Sequence, residues 1–153
     1  MQKRYKLVKS KSKKGIAAVV ISGKKILLLR RRNIPLIMEN PGIWSVVFGG
    51  KKEGESYRAA AYREIREETG LEKKNITLLY KPKRMLVTNP RKMTMWYNTL
   101  FIFRSSTSKI RLDIENKDYR WAGMQDIIKE KDYTNVFKNR KNIENTIRRA
   151  LNG

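Results

Sequence analysis

A mixed α and β fold, of the α+β kind, is predicted for this chain of 153 residues. Two observations carry the prediction. Strand-length aliphatic and β-branched runs stand on both sides of one long helical segment, and an amphipathic helix closes the chain. The length suits a single domain with one core, taken as residues 15–153, behind a basic arm or edge strand at 1–14. Periodicity alone does not give the strand order.

Taken in order, residues 1–14 hold seven basic groups (Lys3, Arg4, Lys6, Lys9, Lys11, Lys13, Lys14) and no acid. They read as a solvated arm, an edge strand around Tyr5–Val8, or a contact to phosphate or RNA. Gly15–Ser22 and Lys25–Arg31 are apolar runs joined by a turn at Ser22–Gly23, hence a hairpin, and Arg30, Arg31 and Arg32 close it. Asn33–Gly42 is a loop broken by Pro35 and Pro41-Gly42, and its apolar Ile34, Leu36, Ile37 and Met38 suggest that it folds over a pocket. Ile43–Phe48 is a short strand, with Trp44 read as core in preference to a stacking platform.

Ser56 is the N-cap of the long helix and Gly70 its stop, because glycine adopts the left-handed cap conformation without strain. Ile76–Tyr80, Met85–Thr88 and Met93–Phe103 are predicted strands, the last apolar on both faces in its second half, as suits a strand covered on both sides. Ile110–Ile114 and Tyr119–Ala122 are shorter strand-like pieces, with Asp113, Glu115 and Asp118 in this part of the chain. Met124–Glu130 is a short helix. In the last helix, Asn139–Leu151, the stripe Ile143, Ile147, Leu151 with Ala150 docks on the core.

Composition narrows the chemistry. With no cysteine, disulfides, thiolate nucleophiles and cysteine-ligated zinc are excluded. With no histidine, acid–base work falls to carboxylate, lysine, tyrosine or a water activated by a metal. No apolar run approaches the ~18 residues needed to cross a bilayer, and the basic start lacks the apolar stretch of a signal peptide, so no membrane association and a cytoplasmic setting are expected. Thirty-six basic against 14 acidic side chains give a charge of +22, a field that draws nucleotides and nucleic acid. Yet six of the acids (Glu53, Glu55, Glu64, Glu67, Glu68, Glu72) crowd into residues 53–72.

That crowding is costly for a helix. Glu64, Glu67 and Glu68 project from one face beside the small Ala60, while Ala59, Ala61, Tyr62 and Ile65 are assigned to the sheet side. Glu64 meets like charges at i+3 and i+4, each worth a few tenths of a kcal/mol, and two of the acids sit in the last turn, where the dipole disfavours anions. Glu55 lies ahead of the helix, where its charge suits the dipole. Arg63 relieves Glu67 but cannot neutralise the group. A divalent cation can, and an all-oxygen ligand set suits magnesium, manganese or calcium.

Written as spacing, the stretch is Gly49-x5-Glu55-x7-Arg63-Glu64-Ile65-x-Glu67-Glu68-x-Gly70-Leu71, and it resembles the Nudix box, GX5EX7REUXEEXGU with U aliphatic, at all nine defined positions. GIWSVVF before the box and YRWAGMQDI late in the chain are similar to family members too. Many relatives open the box on the second glycine of a pair, whereas Gly49 is the first here, which leaves the metal-facing carbonyl among Phe48, Gly49 and Gly50. The resemblance implies a mixed sheet between helices, an α/β/α sandwich with the box as loop–helix–loop. It implies phosphoanhydride hydrolysis of a nucleoside diphosphate linked to another moiety, with Mg2+, or Mn2+ in its place.

On that likeness Glu64, Glu67 and Glu68, with Gly49 by its carbonyl, are the metal ligands. Glu67, Glu64 and Arg63 are the catalytic set, with one glutamate as base and Arg63 orienting a carboxylate. Glu55 is a further ligand or sits just behind, Glu115 and Asp118 are candidates for an extra carboxylate, and Arg30 and Arg32 for substrate phosphate. Trp96 or Tyr97 can stack on a base, with core packing the simpler reading. A nucleotide-containing small molecule is the expected substrate. The alternatives are an RNA 5′ end or dinucleoside polyphosphate, favoured by the charge, and a non-catalytic nucleotide sensor. Monomer and homodimer both stay open.

Overall fold

Strands β1 (Ser12–Ser22) and β2 (Lys25–Arg31) form the predicted hairpin, turning at Gly23 with φ of 59°, a value that glycine accepts without a side-chain clash. The computed structural model describes residues 12–32, 44–89, 94–129 and 141–153. Most of the basic arm and the loop expected over a pocket lie outside the described residues, as do Ile43, Met93, Glu130, Asn139 and the side chain of Trp96. Strand β1 starts three residues ahead of the expected Gly15, and Ser12–Lys14 are already paired to a neighbour.

The predicted strand at 43–48 is divided into β3 (Trp44–Ser45) and β4 (Val47–Gly50), which pair with β2 and β1 respectively. Helix α1 (Tyr57–Thr69) follows, then a single 3-10 turn (Lys73–Asn75) and strands β5 (Ile76–Leu78), β6 (Lys83–Asn89), β7 (Thr94–Ser105) and β8 (Asn116–Ala122). Helices α2 (Met124–Lys129) and α3 (Lys141–Asn152) complete the described chain. The sheet runs β3-β2-β1-β7-β5, with β4 added to β1, β6 to β7 and β8 to β2. All pairings are antiparallel except β1 with β7, which run parallel over Ser12–Ile21.

Both faces of this mixed sheet are covered, which is why β1, β2 and β7 read as continuous apolar runs. On one face Ile16, Ala18, Val20, Leu27, Leu29, Phe101 and Phe103 pack on Ala60, Ala61 and Ile65 of α1. On the other, Ala17, Val19, Ile21, Ile26, Leu28, Leu100 and Ile102 pack on Ile127, Ile143, Ile147, Ala150 and Leu151. The α/β/α sandwich is therefore present. Trp44 is half-buried against this second core.

Two expectations fail for identifiable reasons. Ile110–Ile114 is not a strand: the Arg111 amide donates to the Thr69 carbonyl at 2.8 Å, so the segment docks on the end of α1 and not on a sheet edge. Ile110 and Leu112 still reach the core, whereas Ile114 is 78% exposed in a turn. Within α1, Ala59 is exposed and Ala60 buried, so the helix is rotated relative to the predicted faces, and Glu68 is carried inward with Ala60.

Candidate active site

Helix α1 is held at both ends as its sequence suggests. Ser56 Oγ accepts from the Ala59 amide at 3.0 Å, and the Gly70 amide donates to the Arg66 carbonyl with Gly70 at φ 75°. Fixing the ends fixes the rotation, and rotation decides which glutamates meet. One β-carbon matters in particular. Gly49 lies beneath Glu64, and a methyl group there would collide with the Glu64 carboxyl, so the glycine makes room for the acid.

Arg63 is the hub of the first acidic group. Its Nε and Nη2 donate to the two Glu55 oxygens at 2.8 and 3.0 Å, a bidentate pair. Nη1 donates to Glu64 Oε1 at 2.8 Å and to Glu67 Oε2 at 3.3 Å. Nη2 also engages the Gly50 carbonyl at 2.8 Å. Hydrogen bonds from Arg63 and from the Lys52 amide lower the Glu55 carboxyl to about 2, so it is an anion at any working pH. The same carboxylates raise Arg63 above its ordinary value.

The second acidic group has no such hub. Glu68 is 3% exposed, and its Oε2 has no hydrogen-bond partner. Burial drives its carboxyl well above the usual range, Arg31 opposes the shift, and Glu64, Asp113 and Glu115 add to it. Burial also raises Glu64, against the pull of Arg63. One oxygen each from Glu68, Asp113 and Glu115 lie within 4.8 Å of one another. Asp113 is set by Asn116, whose amide and Nδ2 both donate to Asp113 Oδ1 at 3.2 and 3.0 Å. Glu115 is set by its carbonyl, which takes the Arg32 amide at 2.9 Å.

The predicted residues are thus divided. Glu64 and Glu67 turn toward Arg63 and Glu55, while Glu68 gathers with the late loop that carries Glu115. Asp118 is not in this gathering: it is exposed on β8 opposite Arg30 and accepts from the Tyr119 amide. Arg30 lies over the Trp44 ring, 5.8 Å from its centroid, with Arg120 at 4.7 Å. Arg32 is exposed at the end of β2. Sequence reasoning noted Asp113 without giving it a role in the site, and named Arg31 only among the three arginines that close the hairpin. The Asp-x-x-Asn spacing ahead of a strand is the signal that could have found Asp113, since it marks a carboxylate folded onto its own backbone.

Does the site fit a cation? A buried carboxylate that keeps a donorless oxygen and gathers with two further carboxylates is an arrangement that a hard divalent ion satisfies and that a lone proton or water satisfies less completely. Glu68, Asp113 and Glu115 would hold the ion, with Glu64 and Glu67 close by on the same helix. No described helix is long and apolar enough to span a membrane.

A model of the NUDIX domain matches residues 11–145. The chain is 30% identical over 115 residues to a mouse protein named asymmetrical bis(5′-nucleosyl)-tetraphosphatase, covering 66% of this chain and 78% of that protein. In structure it resembles a MutT protein from Methanosarcina mazei (TM-score 0.72, 20% identity, 94% of this chain and 97% of that one). It also resembles a C. elegans Ap4A hydrolase crystallised as a binary complex (TM-score 0.69, 20% identity, 92% and 95%).

Proposed function

The chain belongs to the NUDIX domain family and is a hydrolase of phosphoanhydride bonds, and from that premise we propose that it cleaves the pyrophosphate linkage of a nucleoside diphosphate joined to another moiety, with magnesium as its ion. The observation that carries this reading is the buried Glu68 carboxylate, which keeps one donorless oxygen and gathers with Asp113 and Glu115. When bound there, the ion supplies charge for the bridging phosphates and polarises the bond to be broken.

The remaining work is done by this chain's side chains. Arg63 locks Glu55, Glu64 and Glu67 into one frame, so the face offered to the substrate does not rearrange as charge develops. Glu67, 47% exposed, is the member of that frame open to solvent, and it takes the proton of the attacking water. Glu64 is held over Gly49 as the neighbouring acid and alternative base. Arg32, with Arg31 and Arg30 behind it, meets substrate phosphate. The setting is cytoplasmic.

A second reading, hydrolysis of a dinucleoside polyphosphate, is favoured by the likeness to the mouse tetraphosphatase, and the +22 charge extends it to an RNA 5′ end. The test is hydrolysis with magnesium of nucleoside triphosphates, ADP-ribose, diadenosine tetraphosphate and 5′-triphosphorylated RNA, with products identified. Cleavage within the phosphate chain, lost in Glu68→Gln, is the expected result. No cleavage of any member would remove the proposal. RNA activity that falls steeply with salt would select the polyanion reading.

A further inference from the structure

The basic groups are placed as unevenly as the acids. No acid occurs in residues 1–38 or 73–112, and these two stretches supply β1, β2, β5, β6 and β7. Strand β4 carries none either. Within this acid-free part of the sheet stands Tyr97 of β7, for which core packing was the simpler reading of the sequence. It is 50% exposed.

Strand alternation places Tyr97 on the α1 face, with Phe101 and Phe103. Register gives its neighbours. Lys14 of β1 stands directly beside it, and Arg84 of β6, paired with Thr99, is one diagonal step away on the same face. The Lys51 amide donates to the Lys14 carbonyl at 3.1 Å, so the pairing of β1 with β4 runs one residue past Gly50 and sets Lys51 opposite Lys14. Gly49, two residues earlier, faces Glu64 of α1, so Lys51 is on that side as well. Lys14 and Arg84 are exposed, and the Lys51 ammonium lies 5.5 Å from the centroid of the Tyr57 ring at the start of α1.

Two lysines set opposite each other repel. Among the described residues no carboxylate pairs with Lys14, Lys51 or Arg84. Strand β1 begins two residues before Lys14, and the sequence ahead of it adds Lys3, Arg4, Lys6, Lys9 and Lys11 without an acid. A surface of this kind asks for a polyanion, and its exposed ring asks for a flat partner. An acidic protein would answer the charges and leave the ring bare. Duplex nucleic acid keeps its bases stacked away from it. A single strand answers both.

We propose that this face binds single-stranded RNA, with one base stacked on Tyr97 and the flanking phosphates on Lys14, Lys51 and Arg84. RNA is the strand whose ends and loops stand unpaired, with bases free to splay onto an aromatic side chain. Lys51 follows Gly50, whose carbonyl takes Arg63 Nη2 at 2.8 Å, so a strand on this face lies beside the acidic frame. The proposal deepens the RNA 5′-end reading, on which it rests for the strand's purpose, while binding itself needs no turnover.

The experiment uses a 3′-fluorescein single-stranded RNA of about ten nucleotides with a 5′-hydroxyl, read by anisotropy in EDTA across a range of salt. Hydrolysis then plays no part. Tyr97→Ala should weaken binding ~10-fold without changing the slope of log affinity against log salt, and Tyr97→Phe, which keeps the ring, should stay within about twofold of wild type. Should Tyr97→Ala disturb the strand, Tyr97→Thr, which suits a strand and also lacks the ring, takes the same comparison. Lys14→Ala and Arg84→Ala should each lower the salt slope by about 0.7. Lys24→Ala removes another exposed lysine, at the hairpin turn beyond the far end of β1, and should leave the slope unmoved. Equal losses from Lys24→Ala and Lys14→Ala, or full binding by Tyr97→Ala, would overturn the proposal. So would a wild type that ignores the RNA, or one that prefers duplex RNA, single-stranded DNA or a polyglutamate peptide to it. Binding as described, with no cleavage of 5′-triphosphorylated RNA in magnesium, would keep this surface and retire the 5′-end reading instead.

Discussion

Two groups of carboxylates meet at one helix and are treated oppositely. Glu55, Glu64 and Glu67 are gathered on Arg63, a cation supplied by the chain itself. Glu68, one residue beyond Glu67, is turned inward to Asp113 and Glu115 with an oxygen left over. The first group is complete as folded. The second is incomplete, and it is incomplete in the way an ion would correct. The difference teaches that a glutamate-rich helix face is not one site, because adjacent positions separate acids answered by an internal cation from one that keeps a donorless oxygen.

The sharpest way to break this contrast is at Glu68. Glu68→Gln is expected to cut turnover by at least ~10²-fold and to abolish the rise in Tm that we expect magnesium to give the unmutated protein. Normal kinetics in that variant would show that the inward group is idle. Arg63→Ala attacks the other side: three carboxylates lose their donor, and we expect turnover to drop by ~10-fold or more and stability by about 1–3 kcal/mol. The Tm loss in that variant should shrink when magnesium is added, and calorimetry with and without the metal would read it. Asp113→Asn keeps its contact with the Asn116 amide but lowers the charge, and isothermal titration should show magnesium affinity reduced ~10-fold. An unchanged affinity would remove Asp113 from the inward group.

The smallest effect expected is on pH dependence, and its sign separates the groups. Glu68 and Glu64 have carboxyls raised by burial, so without metal the folded state holds protons that the unfolded chain has released, and stability declines as pH climbs above the ordinary carboxylate value of 4.5. Glu55, lowered to about 2, works the other way: its stabilisation is present above 4.5 and lost as pH falls toward 2. Tm measured in EDTA should therefore sag from pH 5 to 8, and magnesium should flatten the slope. A metal-free Tm that rises over this window would contradict the burial of Glu68.

What was legible in the chain was local. The hairpin at Gly23, the caps Ser56 and Gly70, and the amphipathic stripe of α3 depend on residues within a few positions of each other, and sequence spacing records them. Asp113, Arg31 and the failed strand at 110–114 depend on partners far along the chain. The Thr69 carbonyl captures the Arg111 amide, and pairing of β2 with β8 brings the loop at 113–115 to the helix. No periodicity encodes those encounters. The face of Ala59 and Ala60 was misjudged for a related reason, since adjacent alanines carry no signal of which one turns inward.

The parallel ladder between β1 and β7 has a consequence for assembly. Ser12 sits beside Met95, so on the ribosome β1 waits for a strand made more than eighty residues later. Until then the nascent hairpin presents a run of bare valines and leucines, with an open backbone edge, to anything nearby. Production of this protein should therefore be limited less by its final stability than by chaperone cover during synthesis, and slower growth temperature should raise soluble yield more than any stabilising substitution on the surface.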